Sequence, residues 1–208
     1  MSQTGNRVDQ IYKQASSPAD FAKNYLKYIG ELAQTLDSNE LQKFIELLLQ
    51  KRKEKKTVFF IGNGGSAATA SHFMNDLAVG TRTPELPFKA MSLTDNNAVM
   101  TCIANDWGYD KVFVKQLEPQ MQSGDALVAL SASGNSPNII EAIHFAKKLG
   151  CTIVGISGFD GGKLKELSDI KLHVQTAKGE YGPVEDLHMV IDHLVSAYLC
   201  RKVLDEKR

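Results

Sequence analysis

Two histidine–carboxylate pairs stand out in this chain by their spacing. His72 precedes Asp76 by four residues in VFFIGNGGSAATASHFMNDL, residues 58–77. That spacing places both side chains on one face of a helix. Glu185 and His193 are eight residues apart in VEDLHMVIDH. Eight residues is about 80° around a helix axis, so both can face one pocket from successive turns. Imidazoles and carboxylates near neutral pKa can take and return protons beside a carbonyl. A lone histidine on an amphipathic helix is more often structural or surface, so the two pairs need a shared site.

Two loops could supply it. GNGGSA, Gly62–Ala67, holds Asn63, Gly64 and Ser66, and SASGNSPN, Ser131–Asn138, holds Ser131, Ser133 and Ser136. Each follows an apolar strand-like run and precedes a helix-like one. Pro137 falls at a first helical position. Hydroxyls and backbone N–H groups at a helix start hold phosphate without any Lys or Arg. The alternative reading of the second loop is a well-capped helix after a tight turn. The first loop lacks the GK[ST] of a nucleotide-binding P-loop, and its third glycine is misplaced for a GxGxxG dinucleotide turn.

The elements around these loops follow from periodicity. Residues 20–36 place Phe21, Tyr25, Tyr28, Ile29, Leu32 and Leu36 on one helical stripe, and residues 38–56 start at a cap-like Ser38 and stripe Leu41, Phe44, Ile45 and Leu48. From Thr57 the runs TVFFIG, FKAMSL, ALVALS, TIVGIS and IKLHVQ alternate with helical stretches near 66–79, 96–105, 110–118, 137–149 and 161–167. A last helix begins near Val184 and runs almost to the end. Strands separated by helices predict an α/β fold with a parallel sheet covered on both faces. The chain reads as a single domain, 1–208, with N-terminal helices over 1–56 and an α/β core over 57–208. Ligands of such sheets bind beyond the carboxyl ends of the strands, where both loops lie.

Composition excludes several classes. Lys plus Arg and Asp plus Glu both number 24, so no net field attracts nucleic acid or a membrane surface. The basic run Lys51–Lys56 reads as a solvated helix end. Cys102, Cys151 and Cys200 form no CxxC pair, sit in apolar contexts, and read as buried free thiols of a reducing compartment. The polar start MSQTGNRVDQ has no signal-peptide core. No run reaches membrane-spanning length. A cytoplasmic protein is expected.

GNGGSAATASHF, TDNNAVMTCIANDWGYDKVFVKQL, GDALVALSASGNSPNIIEAI and GGKLKELSDIKLHV together resemble the sugar isomerase (SIS) domains, most closely their phosphoheptose isomerases. The resemblance covers nearly the whole chain. It implies a three-layer αβα sandwich on a five-stranded parallel sheet, a homotetramer with active sites at subunit interfaces, and a sugar phosphate as substrate. It implies that Ser66, Ser131, Ser133 and Ser136 hold the phosphate and nearby hydroxyls, and that Asn63 and Gly64 border the same site. Asn105 and Asp106 are family-like and either cap a helix or orient the sugar. In the family, His, Glu, Gln and His at positions 72, 76, 185 and 193 form the acid–base pair and a metal site, usually for zinc. This chain keeps both histidines, shortens one carboxylate to Asp76 and has Glu185 in place of the amide. Two imidazoles and two carboxylates suit a divalent transition metal. Arg82 lies near the family's basic position, with different local spacing.

The activity implied is conversion of sedoheptulose 7-phosphate to the heptose 7-phosphate for lipopolysaccharide or capsule synthesis. A close variant is an isomerase of another sugar phosphate. A second reading is a non-catalytic tetrameric SIS protein that binds the replication initiator, which TDNNAVMTCIAND also resembles; a third is a phosphosugar-sensing module. His193 and a carboxylate at position 76 favour an enzyme.

Overall fold

The central strands carry almost no polar side chain. β1 (Thr57–Gly62), β3 (Ala126–Ser131) and β4 (Thr152–Phe159) are buried along nearly their whole length. Strands covered on both faces need such continuous apolar runs. β2 (Lys89–Ser92) and β5 (Ile170–Gln175) alternate instead, as edge strands do. The sheet order is β2-β1-β3-β4-β5, and every neighbouring pair is parallel. This computed structural model describes residues 5–82 and 85–205.

Alternation along β1 sends Phe60 to one face and Phe59 to the other. On the Phe60 side the sheet is covered by α3 (Ser38–Lys53), α4 (Gly65–Asn75) and α9 (Tyr181–Asp205), through Leu48, Phe73 and Ile191. The Phe59 side is covered by α5 (Asn97–Trp107), α6 (Val114–Leu117), α7 (Pro137–Lys148) and α8 (Gly162–Leu167), through Ile103, Leu117, Ile143 and Leu164. The result is the expected αβα sandwich. α1 (Arg7–Gln14) and α2 (Pro18–Ala33) join a third cluster around Tyr28, Leu32, Phe159 and Leu187.

Several elements differ from the sequence expectation. α1 carries one buried residue, Ile11, too little for a periodic signal; Asn6 caps it by accepting from Asp9 N at 3.1 Å. Its start is tied to buried Glu180, whose carboxylate accepts from Arg7 N and from the Tyr28 hydroxyl. The helix over 66–79 is two pieces, because α4 gives way to a π-turn at Asp76–Gly80. The stretch 110–118 splits into a 3₁₀ turn at Tyr109–Lys111 and the short α6. α9 starts at Tyr181, ahead of Val184, since Pro183 in a first turn forfeits no helical hydrogen bond.

Two surface expectations are corrected. Lys51 and Arg52 do not lie on a solvated helix end: both are buried, and Arg52 Nε donates to Leu86 O at 2.8 Å while its guanidinium stacks 5.5 Å from the Phe88 ring centre. Long basic stems bury readily when the head finds a carbonyl or an aromatic face. Cys102 is exposed, Cys200 is half-buried and only Cys151 is buried; all three are free thiols. Among the described residues no helix is long and apolar enough to cross a membrane. Met1–Thr4 of the polar start lie outside the described residues.

His188 of α9 is fully buried, with the Ser157 backbone as the one polar group that favours its charged form. Burial pushes its pKa down from 6.5 to about 4. The unfolded chain therefore takes up a proton near 6.5 that the fold refuses until about 4. The associated stability is present above pH 6.5 and is lost as pH falls toward 4. At about 1.4 kcal/mol per unit, wild type should lose ~2–3 kcal/mol more than His188→Leu between pH 7 and 4.5. Urea unfolding of both proteins at the two pH values measures this. Equal losses would show that the buried ring is not held neutral.

Candidate active site

In the strand order the chain leaves β1 toward β2 on one side and returns to β3 on the other. Such a switch point opens a crevice at the carboxyl ends of the two strands. The register pairs Gly62 with Leu130, so the two glycine- and serine-containing loops emerge side by side. A reciprocal amide pair clasps them. Asn63 Nδ2 donates to Asn138 Oδ1, and Asn138 Nδ2 donates to Asn63 Oδ1, both at 2.9 Å. The Tyr109 hydroxyl adds a bond to Asn63 Oδ1 at 3.0 Å.

The second loop turns at Gly134. Its φ is +64°, and a Cβ there would stand 2.0 Å from the Gly161 carbonyl oxygen, so only glycine fits. Gly134 N donates to Ser131 Oγ at 3.1 Å, and Ser131 Oγ lies 3.4 Å from Ser136 Oγ. Ser136 precedes α7 without its side chain capping the helix, and Gly64 precedes α4 in the same way. At α4 the first N–H groups thus keep no side-chain cap, while at α7 Pro137 has no N–H and Ile139 N donates to Asn138 Oδ1 at 3.0 Å, with the Ser136 side chain capping neither. This departs from the well-capped alternative for the second loop. A cavity of about 150 Å³ opens here, lined by Asn63, Ser66, Ser131, Ser133, Ser136, Tyr181 and Glu185.

Glu185 belongs to this cavity. A Cβ on Gly65 would sit 2.2 Å from Glu185 Oε2, so the carboxylate lies directly over the first residue of α4. Burial, with Asp186 adding to it, raises the Glu185 pKa.

Further along α4 a second group assembles. His72 Nε2 is 3.2 Å from His193 Nε2 and 3.5 Å from Asp76 Oδ2. The π-turn begins at Asp76 itself, so the 72–76 step survives the change of helical period. Asn75 Nδ2 holds Asp76 Oδ1 at 3.1 Å. Ligand atoms of His72, Asp76, Asp192 and His193 all lie within 4.8 Å of one another. Asp192 is fully buried; its Oδ1 accepts from Ser196 Oγ at 3.1 Å, and its Oδ2 has no partner. Burial, reinforced by the Asp76 charge, pushes its pKa up to about 7.

The structure sets His72 beside Asp76, adds His193 to them, and separates Glu185 from His193, its partner by spacing, by placing it among the serines. Asn105 and Asp106 are exposed on the last turn of α5 and bond to each other at 2.8 Å, without lining the cavity. Arg82 is exposed just after the π-turn, with a left-handed φ of 52°. His144 is exposed. His173 pairs with Ser157 Oγ at 3.0 Å and Gln175 Oε1 at 3.1 Å, a structural bracket between β4 and β5.

Known proteins are similar to this chain in sequence and fold. The family model for the SIS domain matches residues 20–158. Phosphoheptose isomerases of Aliarcobacter butzleri and Campylobacter concisus are 34% and 38% identical to this chain, over 83% and 81% of it and 92% and 87% of the relatives. The chain belongs to the phosphoheptose isomerases, within the SIS domain family. A solved phosphoheptose isomerase from Neisseria gonorrhoeae superposes with a TM-score of 0.76 at 29% identity, covering 87% of this chain and 95% of that one. A phosphoheptose isomerase from Francisella tularensis shares the fold, with a TM-score of 0.79 at 22% identity.

The residues of this SIS domain fit the divalent metal that the family implies. Bonds of about 2.0–2.1 Å to a tetrahedral zinc set its ligand atoms about 3.3 Å apart. The His72–His193 and His72–Asp76 separations, 3.2 and 3.5 Å, match those edges. The partnerless Oδ2 of Asp192 is what a metal-binding carboxylate looks like before the metal is added.

Sequence reasoning missed Asp192, Asn138 and Tyr181. For Asp192 the signal was present. Seven residues return to within about 20° of the starting face of a helix, so Asp192 lies below Glu185 on one stripe of α9. Attention to the eight-residue step from Glu185 to His193 passed over it. Asn138 shows its role only once β1 and β3 are neighbours.

Proposed function

We propose that this chain is an aldose–ketose isomerase that converts sedoheptulose 7-phosphate to D-glycero-D-manno-heptose 7-phosphate, feeding heptose for lipopolysaccharide or capsule. One observation carries the reading. The serine cavity takes Ser66 from α4 and Tyr181 and Glu185 from α9, and the histidine–carboxylate group is built on those same two packed helices. A phosphate anchored at the loops thus leaves the sugar to run toward His72, Asp76 and His193.

The phosphate is received by the hydroxyls of Ser66, Ser131, Ser133 and Ser136 and by the N–H groups at the starts of α4 and α7. No Lys or Arg lines the cavity, so the hydrogen bonds and helix starts do the binding. At the other end, Asp76 takes the proton from C1 of the ketose and returns it to C2. His193 moves the accompanying proton between the oxygens on C1 and C2. Atoms and electrons balance: the ketone is reduced as the adjacent alcohol is oxidised, and water is not consumed. His72, Asp76, His193 and a carboxylate of α9 would hold a divalent metal, zinc by ligand type. When bound, that ion supplies Lewis-acid stabilisation of the negative charge that develops on the two oxygens.

The working form is a homotetramer. Val190, Leu194 and Tyr198 are 40–50% exposed at four-residue steps on α9, an apolar stripe that suits a second copy. The stripe runs beside His193, which supports a site near a subunit boundary.

The test is incubation of purified protein with sedoheptulose 7-phosphate and a panel of other ketose phosphates, with and without zinc, read by NMR for aldose product. Heptose 7-phosphate is expected. Turnover of another ketose alone would move the assignment to that sugar, and no turnover with any would favour the initiator-binding reading. Light scattering on the same sample should give four copies of 22.9 kDa; a monomer would remove the interfacial site.

A further inference from the structure

We infer that the two carboxylates on the inward stripe of α9 divide the work in this chain: Asp192 completes the metal-binding group, and Glu185 serves the sugar phosphate. The sugar phosphate as the ligand of Glu185 rests on the isomerase reading; the division itself rests on where the two carboxylates lie.

The division follows from helix geometry and three observations. Glu185 and Asp192 share one face but are separated by seven residues, about 10 Å along the axis. In this structure the two carboxylates meet different neighbours, and only Asp192 falls in the group around His72. Asp192 is the one at the metal-binding end, because its carboxylate falls within 4.8 Å of the His72, Asp76 and His193 ligand atoms. Its Oδ2 is buried and partnerless. Leaving such an oxygen unpaired is costly unless something binds it. Glu185 is committed elsewhere: its carboxylate rests against Gly65, where a Cβ would stand 2.2–2.6 Å from the three carboxyl atoms, and it lines the cavity with Ser66, Ser131 and Ser136.

The consequence is a ligand set of two imidazoles and two aspartates, with net charge two lower than the imidazoles alone would provide. Asp76 alone is one methylene too short to replace a longer carboxylate by itself. Asp192, entering from the buried side, restores a fourth donor without involving position 185. Glu185 then brings a negative charge to the edge of the anion cavity, where it opposes unselective phosphate binding.

The experiment measures zinc and inorganic phosphate binding separately on the full-length protein, so it does not depend on turnover. Zinc affinity is read by competition with a chromophoric chelator, and phosphate affinity by calorimetry at pH 8. Asp192→Asn should weaken zinc by about tenfold or more and leave phosphate affinity unchanged. Glu185→Gln should keep zinc affinity within about twofold and bind phosphate severalfold tighter, because a like charge is gone. His193→Gln serves as a control that loses zinc. Far-UV melts confirm that each variant is folded, and Asp192→Ser, smaller and neutral, stands in if the asparagine variant is not. The inference is overturned if zinc weakens in Glu185→Gln as much as in Asp192→Asn, or if Asp192→Asn and Asp192→Ser both bind zinc like wild type. If wild type turns over no ketose phosphate while the zinc ranking holds, the isomerase reading fails and the assignment of Asp192 stands.

Discussion

Replacing His193 by Gln should lower kcat/KM by about 10²–10⁴-fold, the range that general acid–base catalysis contributes. The amide keeps the length and polarity of the side chain but cannot carry a proton between the two sugar oxygens. Most of the loss should fall on kcat. The phosphate cavity is lined by Asn63, Tyr181, Glu185 and the serines, without His193, so KM for the sugar phosphate should move by less than about threefold. Saturating zinc should not restore the rate, because the proton carrier is missing as well as a ligand. Steady-state kinetics on the wild type and His193→Gln, each with chelator and with zinc, measure all three quantities. A variant within tenfold of wild type would remove His193 from the chemistry. A rise in KM without a fall in kcat would make it a binding residue instead.

How far the sequence foretold this site depends on the physical range of each signal. β1, β3 and β4 were legible because strands buried on both faces must be continuous apolar runs, and nothing else in the chain looks like VFFIG or ALVALS. The His72–Asp76 step was legible because a helical turn is a local property. It survived even though the helix changes to a π-turn at Asp76. α1 was not legible, since Ile11 alone faces the core and the helix is held by Asn6 and by Glu180, far away in sequence. The burial of Arg52 was hidden for the same reason: its partners include Leu86 and Phe88, residues that reach it only through tertiary structure. The Asn63–Asn138 clasp needs β1 and β3 to be neighbours, and strand order is a global outcome that no window of sequence contains. Glu185 shows the limit most clearly. Its helical face was read correctly, but which end of that face meets the serines and which meets His72 depends on where α9 crosses α4.

Gly65→Ala should separate stability from activity at that crossing. Alanine is about 1 kcal/mol better than glycine inside a helix, with a smaller gain at a first helical position. The three atoms nearest the new methyl would all belong to the end of one side chain, Glu185, at 2.2–2.6 Å. That end can rotate away, so the fold should be unchanged or slightly more stable. The function should not escape. The Glu185 carboxylate must move by about 1 Å or more to clear the methyl, and misplacement on that scale costs about 10²-fold in rate. A double-mutant cycle decides whether the loss acts through Glu185. In a Glu185→Ala background the three nearest contacts of the Gly65→Ala methyl are gone, so it should cost less than about threefold. The coupling between the two positions should then account for nearly all of the single-mutant effect. The measurements are kcat/KM for wild type, both single variants and the double variant, with thermal melts of each. Independent losses that multiply in the double variant would show that Gly65 acts on the α4 start itself. Glu185 would then have no special claim on the sugar.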